Sequence, residues 1–357
     1  MRIYIRQNGH DDESCSSAGR ACRTIDYVMQ NLTLTESVTI VLSAEPNAVF
    51  NHCRQPVVKI ALKKATKVYR MVGEDISGLY TTIKCSFYFQ NLGNQVPKII
   101  FSKVFISDKF LRFSGNMAII LQNMRCINMA MNFNLKERYS IYIKIINSQL
   151  MNNINTPKGK PSKLIQNSTF IIASHDLHLF LMNTFIKGIS WIIKSKHYNI
   201  IIRNSLMVTS MHMNFCIKIK EILPKYYVDL VSRKVLLDHI KVPTASPNYY
   251  FILLFTVNTE IRVIACVFYN ISSLKLDLSY KFPLFSCIKL KVIFIKSYFF
   301  GNGHFHYRAI DIHIPKFGSP LIQANVIISH SVFLKHISDQ GAATLFAIEP
   351  YVPYAEQ

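Results

Sequence analysis

The sequence predicts an all-β chain, a right-handed parallel β-helix built of irregular stacked coils and opened by a short N-terminal capping helix. Three observations lead there. Short runs of Ile, Val, Phe, Leu and Tyr recur along the chain, divided by Asn, Ser, Gly or Pro, which is a strand signature. A weak motif repeats after several of those runs, and helical periodicity with a proper cap occurs convincingly once.

The strand runs include Val38-Thr-Ile-Val-Leu42, Ala118-Ile-Ile-Leu-Gln122, Ile141-Tyr-Ile-Lys-Ile-Ile146, Tyr198-Asn-Ile-Ile-Ile-Arg203 and Asn325-Val-Ile-Ile-Ser329. The motif is an apolar strand, then Asn-Ser or a close substitute, then Phe or another large apolar residue. Its copies are Ile146-Asn-Ser-Gln-Leu150, Gln166-Asn-Ser-Thr-Phe170, Met182-Asn-Thr-Phe185, Arg203-Asn-Ser-Leu206, Ile295-Lys-Ser-Tyr-Phe299 and Ser329-His-Ser-Val-Phe333, at irregular intervals. A coil of a parallel β-helix buries its apolar residues only by stacking on its neighbours, so like residues recur at equivalent corners. Stacked Asn side chains are expected to hydrogen-bond along such a corner. A β-sandwich would use the same strands and is the alternative, but it needs regular hairpin signals, and Asn8-Gly9 and Asn302-Gly303 are the clearest candidates.

The helix is expected over 24–32. Ile25, Val28, Met29 and Leu32 fall on one face, and Thr24 can cap the free amides. It precedes the stacked strands, where a solenoid needs an atypical element to cover its first coil. Residues 1–95 are therefore read as the N-terminal cap and first coils, and 96–357 as irregular coils continuous with them in one domain.

Half of the 357 residues are hydrophobic and 17% are charged, which excludes a disordered chain. No run approaches the length of a membrane helix, since the longest, Tyr249 to Val257, ends at Asn258. The opening MRIYIRQNGHDDESC lacks the apolar stretch of a signal peptide, so the expectation is a cytoplasmic protein or a chain that begins late in a secreted precursor. The net charge of +21 would ordinarily suggest nucleic acid. The basic residues are scattered, however, and alternate with apolar ones as in Lys289-Leu-Lys-Val-Ile-Phe-Ile-Lys296, which reads as solvated strand faces; no nucleic-acid partner is expected.

The opening Ile3-Tyr-Ile-Arg-Gln-Asn-Gly-His-Asp-Asp-Glu-Ser-Cys15, followed by Arg20-Ala-Cys-Arg-Thr-Ile-Asp-Tyr-Val28, resembles the start of pectin-lyase-like β-helix ectodomains of animals. Later, Ser-Tyr-Phe-Phe-Gly-Asn302, Ser331-Val-Phe-Leu-Lys-His336 and Gly341-Ala-Ala-Thr-Leu345 resemble coil motifs of that superfamily, with His336 and Gly341-Ala342 in place of its usual Asn and Gly-Gly. The resemblance implies the fold and an extracellular or ectodomain setting. It implies little about function, because one fold hosts many activities.

Cys15 and Cys22 flank a short polar loop of the kind a disulfide closes. Cys266 and Cys287 are about one coil apart and could stack, as a bridge or as buried thiols. Cys53, Cys85, Cys126 and Cys216 show no metal-binding spacing, and their pairing is open. Asn31, Asn167 and Asn270 begin sequons and would accept glycans in a secreted chain.

Enzymes of this superfamily cleave acidic polysaccharides with convergent carboxylates, with or without calcium. Here only 20 acids exist, the sole adjacent Asp pair is Asp11-Asp12, and the coils offer isolated acids such as Asp176, Asp229, Asp277 and Asp311. No catalytic, metal or cofactor residues are assigned. Three small groupings are weighed and set aside: His304 and His306 as metal ligands, which lack a third; the basic loop Thr156-Pro-Lys-Gly-Lys-Pro-Ser-Lys163 as an anion seat; and Asp11-Asp12-Glu13 as a calcium turn. The expected function is a non-enzymatic extracellular β-helix that binds glycan or protein along its lateral face. A polysaccharide lyase or glycoside hydrolase is the first alternative and a structural spacer the second. An aligned carboxylate cluster would favour the enzyme, an aromatic or basic stripe would favour binding, and neither would favour the spacer. Prolines 350 and 353 argue against a capping helix at the carboxyl end, so self-association through the terminal coil is expected.

Overall fold

The protein is described from a computed structural model, which describes residues 1–16, 19–32, 34–43, 52–62, 66–74, 81–91, 93–133, 139–152, 169–208, 216–220, 233–243, 250–255, 259–269, 273–278, 288–300, 310–314, 322–334 and 348–350. It is mostly β-strand, and the chain falls into two compact units, Met1–His175 and Asp176–Gln357.

In the first unit the chain visits three rows of strands in turn. One row runs Arg2–Ile5, Ser37–Leu42, Val68–Gly73, Lys98–Ser102, Met117–Gln122, Ser140–Ile146, each pairing with the next in parallel. A second, of shorter strands, runs Thr81–Ile83, Val104–Ser107, Arg125–Ile127, Gln149–Met151. The third runs Val57–Ala61, Ser86–Gln90, Phe110–Ser114, Ala130–Phe133 and the start of Thr169–Met182. Side chains alternate in and out: in Ser140–Ile146, Ile141, Ile143 and Ile145 are buried while the residues between them are not, the period of two that a half-buried strand requires.

The second unit repeats the plan. One row joins 198–203, Arg233–Asp238, Thr259–Ile264, Ile288–Ile295 and Ile322–Ser329. The short row joins Phe185–Lys187, Leu206–Val208, Lys241–Pro243, Val267–Tyr269, Tyr298–Phe300 and Val332–Leu334. The third joins 191–194, Cys216–Lys220, Tyr250–Phe255, Ser273–Leu278, Ile310–Ile314 and Ile348–Pro350. Among the described residues the strand pairings are parallel, which a hairpin-built sandwich cannot supply. The Asn8-Gly9 turn leads into the parallel bridge Ile5↔Cys22 instead of a hairpin.

The corner between the first and short rows explains the repeated motif. Lys103, Asn123 and Asn147 in the first unit, and Asn183, Asn204, His239, Ala265, Lys296 and His330 in the second, all have φ between 49 and 56°. Asn tolerates this left-handed conformation better than most residues, and Lys103, Ala265 and Lys296 hold the same φ at the equivalent position. The next residue turns inward. The hydroxyls of Ser148, Thr184, Ser205 and Ser297 each donate to the carbonyl two residues back, at 2.7 to 3.1 Å. They also accept from neighbouring coils, as in Met124 N to Ser148 Oγ at 3.1 Å, Thr184 N to Ser205 Oγ at 3.2 Å and Cys266 N to Ser297 Oγ at 3.3 Å. The first corner thus carries a hydroxyl ladder, while an amide rung runs along the second, where Asn128 Nδ2 donates to Asp108 Oδ1 at 2.9 Å.

The apolar member of the motif faces inward two residues after the hydroxyl. Phe268, Phe299 and Phe333 stack with ring centroids 4.9 and 4.8 Å apart, the strand spacing itself. Elsewhere the motif's conspicuous residue is the outward one: Leu206 is 37% exposed while Met207 is fully buried, and Phe185 is half-buried beside buried Ile186. A second stack, Phe89, Phe113 and Phe133, fills the first unit.

The helix forms over Ile25–Asn31 with Thr24 as its N-cap, and it packs Ile25, Val28 and Met29 inward. Among the described residues no helix is long and apolar enough to cross a membrane.

Candidate functional site

Three regions bear functional groups. The first is the head, where the strand Arg2–Ile5 leads into a loop closed by the Cys15–Cys22 disulfide. Backbone bonds from Arg6 N to Cys22 O, His10 N to Ala21 O and Cys22 N to Tyr4 O pin the loop to that strand. Gly9 is required there, since a Cβ would lie 2.2 Å from the Cys22 carbonyl oxygen.

The head's acids are occupied locally. Asp11 accepts from Arg23 N and Thr24 N at 2.9 Å and from the Thr24 hydroxyl at 2.7 Å, so it braces the helix cap. Asp12 Oδ1 accepts from the backbone and hydroxyl of Ser14, and the Ser14 hydroxyl holds this carboxyl below the usual carboxylate range. The two carboxylates thus serve different donors, which argues against Asp11-Asp12-Glu13 as a calcium turn. Beside them is a cavity of about 290 Å³ lined by Arg6, Asn8, His10, Asp12, Ser14 and Arg20, with the disulfide loop behind.

The second region is the outer face of the first unit's third row. Register places Lys59 beside Tyr88 and Tyr88 beside Arg112, and the Arg112 guanidinium lies 5.9 Å from the Tyr88 ring centroid. The short row shows a similar pair, with Arg125 at 5.8 Å over Phe105. Scattered in sequence, these residues become columns in space because adjacent strands are about 4.8 Å apart.

The third region comprises the coil acids, and among the described residues register does not bring them together. Asp108 accepts from Ser107 Oγ at 2.6 Å and Asn128 Nδ2 at 2.9 Å. Asp238 is held by Arg203 at 2.6 Å and His239 at 2.5 Å. Glu260 is paired with Arg262 and sits in register between Lys234 and Lys291. Asp277 lies beside His313, and Asp311 beside Lys275. Asp176 has a carboxylate oxygen within 4.8 Å of a ring nitrogen of His197.

A second disulfide, Cys53–Cys85, joins the chain just before the paired strands Val57–Ala61 and Ser86–Gln90. Sequence reading leaves this bridge open; the signal would have been knowledge of which strands pair. Cys126 and Cys266 are buried free thiols, each pushed up to about 12 by burial. Asn31 is exposed at the end of the helix. Asn167, Asn270, Asp229, Cys287, His304, His306 and the loop 156–163 lie outside the described residues. No family model, curated protein or solved structure matches the chain.

Proposed function

We propose that the chain is an extracellular right-handed parallel β-helix of the pectin-lyase-like kind, which binds acidic glycan along its lateral face without cleaving it. Three parallel rows visited in turn support the solenoid, and parallel crossovers are right-handed in nearly all proteins. Two disulfides favour an oxidising compartment. The observation that carries the binding reading is the Lys59–Tyr88–Arg112 column. An aromatic face between two cations offers a sugar ring an apolar platform and its carboxylate or sulfate a charge partner. The polysaccharide-cleaving alternative needs carboxylates converging on one bond, whereas Asp108, Asp238 and Glu260 are engaged by a neutral donor or a base.

The test is binding to immobilised sulfated and uronic-acid polysaccharides, with neutral dextran as control. Affinity should fall with salt, and Tyr88→Ala with Arg112→Ala should weaken it about tenfold, the sum of one stacking and one charge contact. Equal retention of dextran, or an unaffected double variant, would overturn the reading. Release of unsaturated or reducing ends above a heat-killed control would restore the enzyme.

A further inference from the structure

We propose that the cavity beside the disulfide loop is a second, separate site, which takes a single acidic sugar unit bearing a carboxylate or a sulfate. The cavity of about 290 Å³ sits at the lower end of ligand pockets and suits one ring. Its walls combine positioned cations with donors that have no described partner. Arg20 donates through Nη1 to the Ser14 hydroxyl at 3.0 Å, and its Nε and Nη2 make no hydrogen bond to a described residue. Arg6 pairs with Glu74 through one nitrogen at 3.4 Å and lies over the Tyr4 ring at 5.3 Å, so it is a positioned cation at the edge of the cavity. The side chains of Asn8 and His10 make no hydrogen bond to any described residue.

The single anion among the lining residues selects against a bare ion. Asp12 lines the cavity with its Oδ1 satisfied by Ser14 and its carboxyl held below the usual range, so its negative charge disfavours a naked sulfate there. With Arg6 shared with Glu74, the Nε and Nη2 edge of Arg20 is the donor pair that would hold a planar carboxylate or a sulfate bidentately. A ligand that satisfies both must carry an acidic group and hydroxyl donors on one small frame. A sugar acid or a sugar sulfate has that pattern.

The head site is distinguished from the lateral column by its ligand and its variants. Calorimetric titration of the intact protein with glucuronate and galactose 6-sulfate should give dissociation constants in the range of about 0.1–1 mM for at least one of them. Glucose and inorganic sulfate should bind at least tenfold more weakly. Arg20→Gln removes a guanidinium whose bond within the protein is to an exposed hydroxyl, so it should weaken the acidic sugar about tenfold while leaving the thermal midpoint unchanged. Asp12→Asn should weaken the sugar and strengthen inorganic sulfate. Arg112→Ala, which damages the lateral column, should leave the monosaccharide titration intact. The proposal is overturned if glucose binds as well as glucuronate, if Arg20→Gln has no effect, or if inorganic sulfate equals the acidic sugars, since the pocket is then a plain anion seat.

Discussion

The head and the coils of the first unit use the same parallel pairing but are held by different means. In the head, cohesion rests on particular directed contacts: Asp11 on the helix cap, Ser14 on Asp12, and the Cys15–Cys22 bridge. In the coils, cohesion is repetitive, with Phe89, Phe113 and Phe133 stacked at 5.4 and 4.8 Å and the hydroxyl of one coil accepting from the next. A small region that cannot bury much apolar surface relies on covalent closure and directed bonds. A stacked array relies on repetition, where any rung has a neighbour on each side. Substitutions should therefore separate the two: coil changes act through lost packing, head changes through loop entropy and directed bonds.

The largest effect is expected at Phe113, buried between two stacked rings. Phe113→Ala should lower unfolding free energy by about 3–5 kcal/mol, the usual cost of emptying a buried aromatic site. Chemical denaturation gives that value, and a loss under about 1 kcal/mol would mean that the stack closes over the gap.

The two disulfides come next, and they rank by loop length. Closing 32 residues in Cys53–Cys85 restrains the unfolded chain more than closing 7 in Cys15–Cys22, so chain entropy gives about 3.7 against about 2.4 kcal/mol. Replacing each pair by Ala and comparing denaturation midpoints tests the order. A reversed ranking would show that the head bridge acts mainly on the native loop.

Much of this architecture was legible in the sequence because it depends on local pattern. The alternation of Ile141-Tyr-Ile-Lys-Ile-Ile146, the Thr24 cap and the Asn-Ser corners are written within a few residues of one another, and so is the Cys15–Cys22 loop. What could not be read depends on register. Tyr88 and Arg112 are 24 apart in number and meet only because Ser86–Gln90 pairs with Phe110–Ser114 in one register and no other. Cys53 and Cys85 are brought together by a similar pairing. A slip of one residue would turn every side chain to the other face, and at this corner the large apolar Phe185 and Leu206 sit on the outer face while Ile186 and Met207 are buried. The acids of the head are a third case: Asp11 and Asp12 read as a pair, yet the turn aims them at different donors.

The smallest effect is a pH dependence seated where the head meets the first coils. His52 is buried; its Nε2 lies 3.0 Å from the Ser43 carbonyl oxygen, and its own carbonyl accepts from Ile25 N at 2.8 Å at the start of the helix. Burial pushes its imidazole below the ordinary value of 6.5, with the charge of Lys84 acting in the same direction. Above that value both folded and unfolded chains hold the ring neutral, so it contributes no slope. As pH falls through 6.5 the unfolded chain takes up a proton that the folded chain refuses, and stability drops by up to about 1.4 kcal/mol per pH unit until the lowered folded value is reached. Urea unfolding at pH 7.5 and pH 5.5 should show a loss that shrinks in His52→Gln, which retains a donor for Ser43 but cannot titrate in this window. Buried free thiols do not interfere, since burial holds Cys126 and Cys266 near 12. An identical loss in the variant would place the acid sensitivity in the coils and remove the distinction at this level, leaving the bridges as the only respect in which the head is held differently.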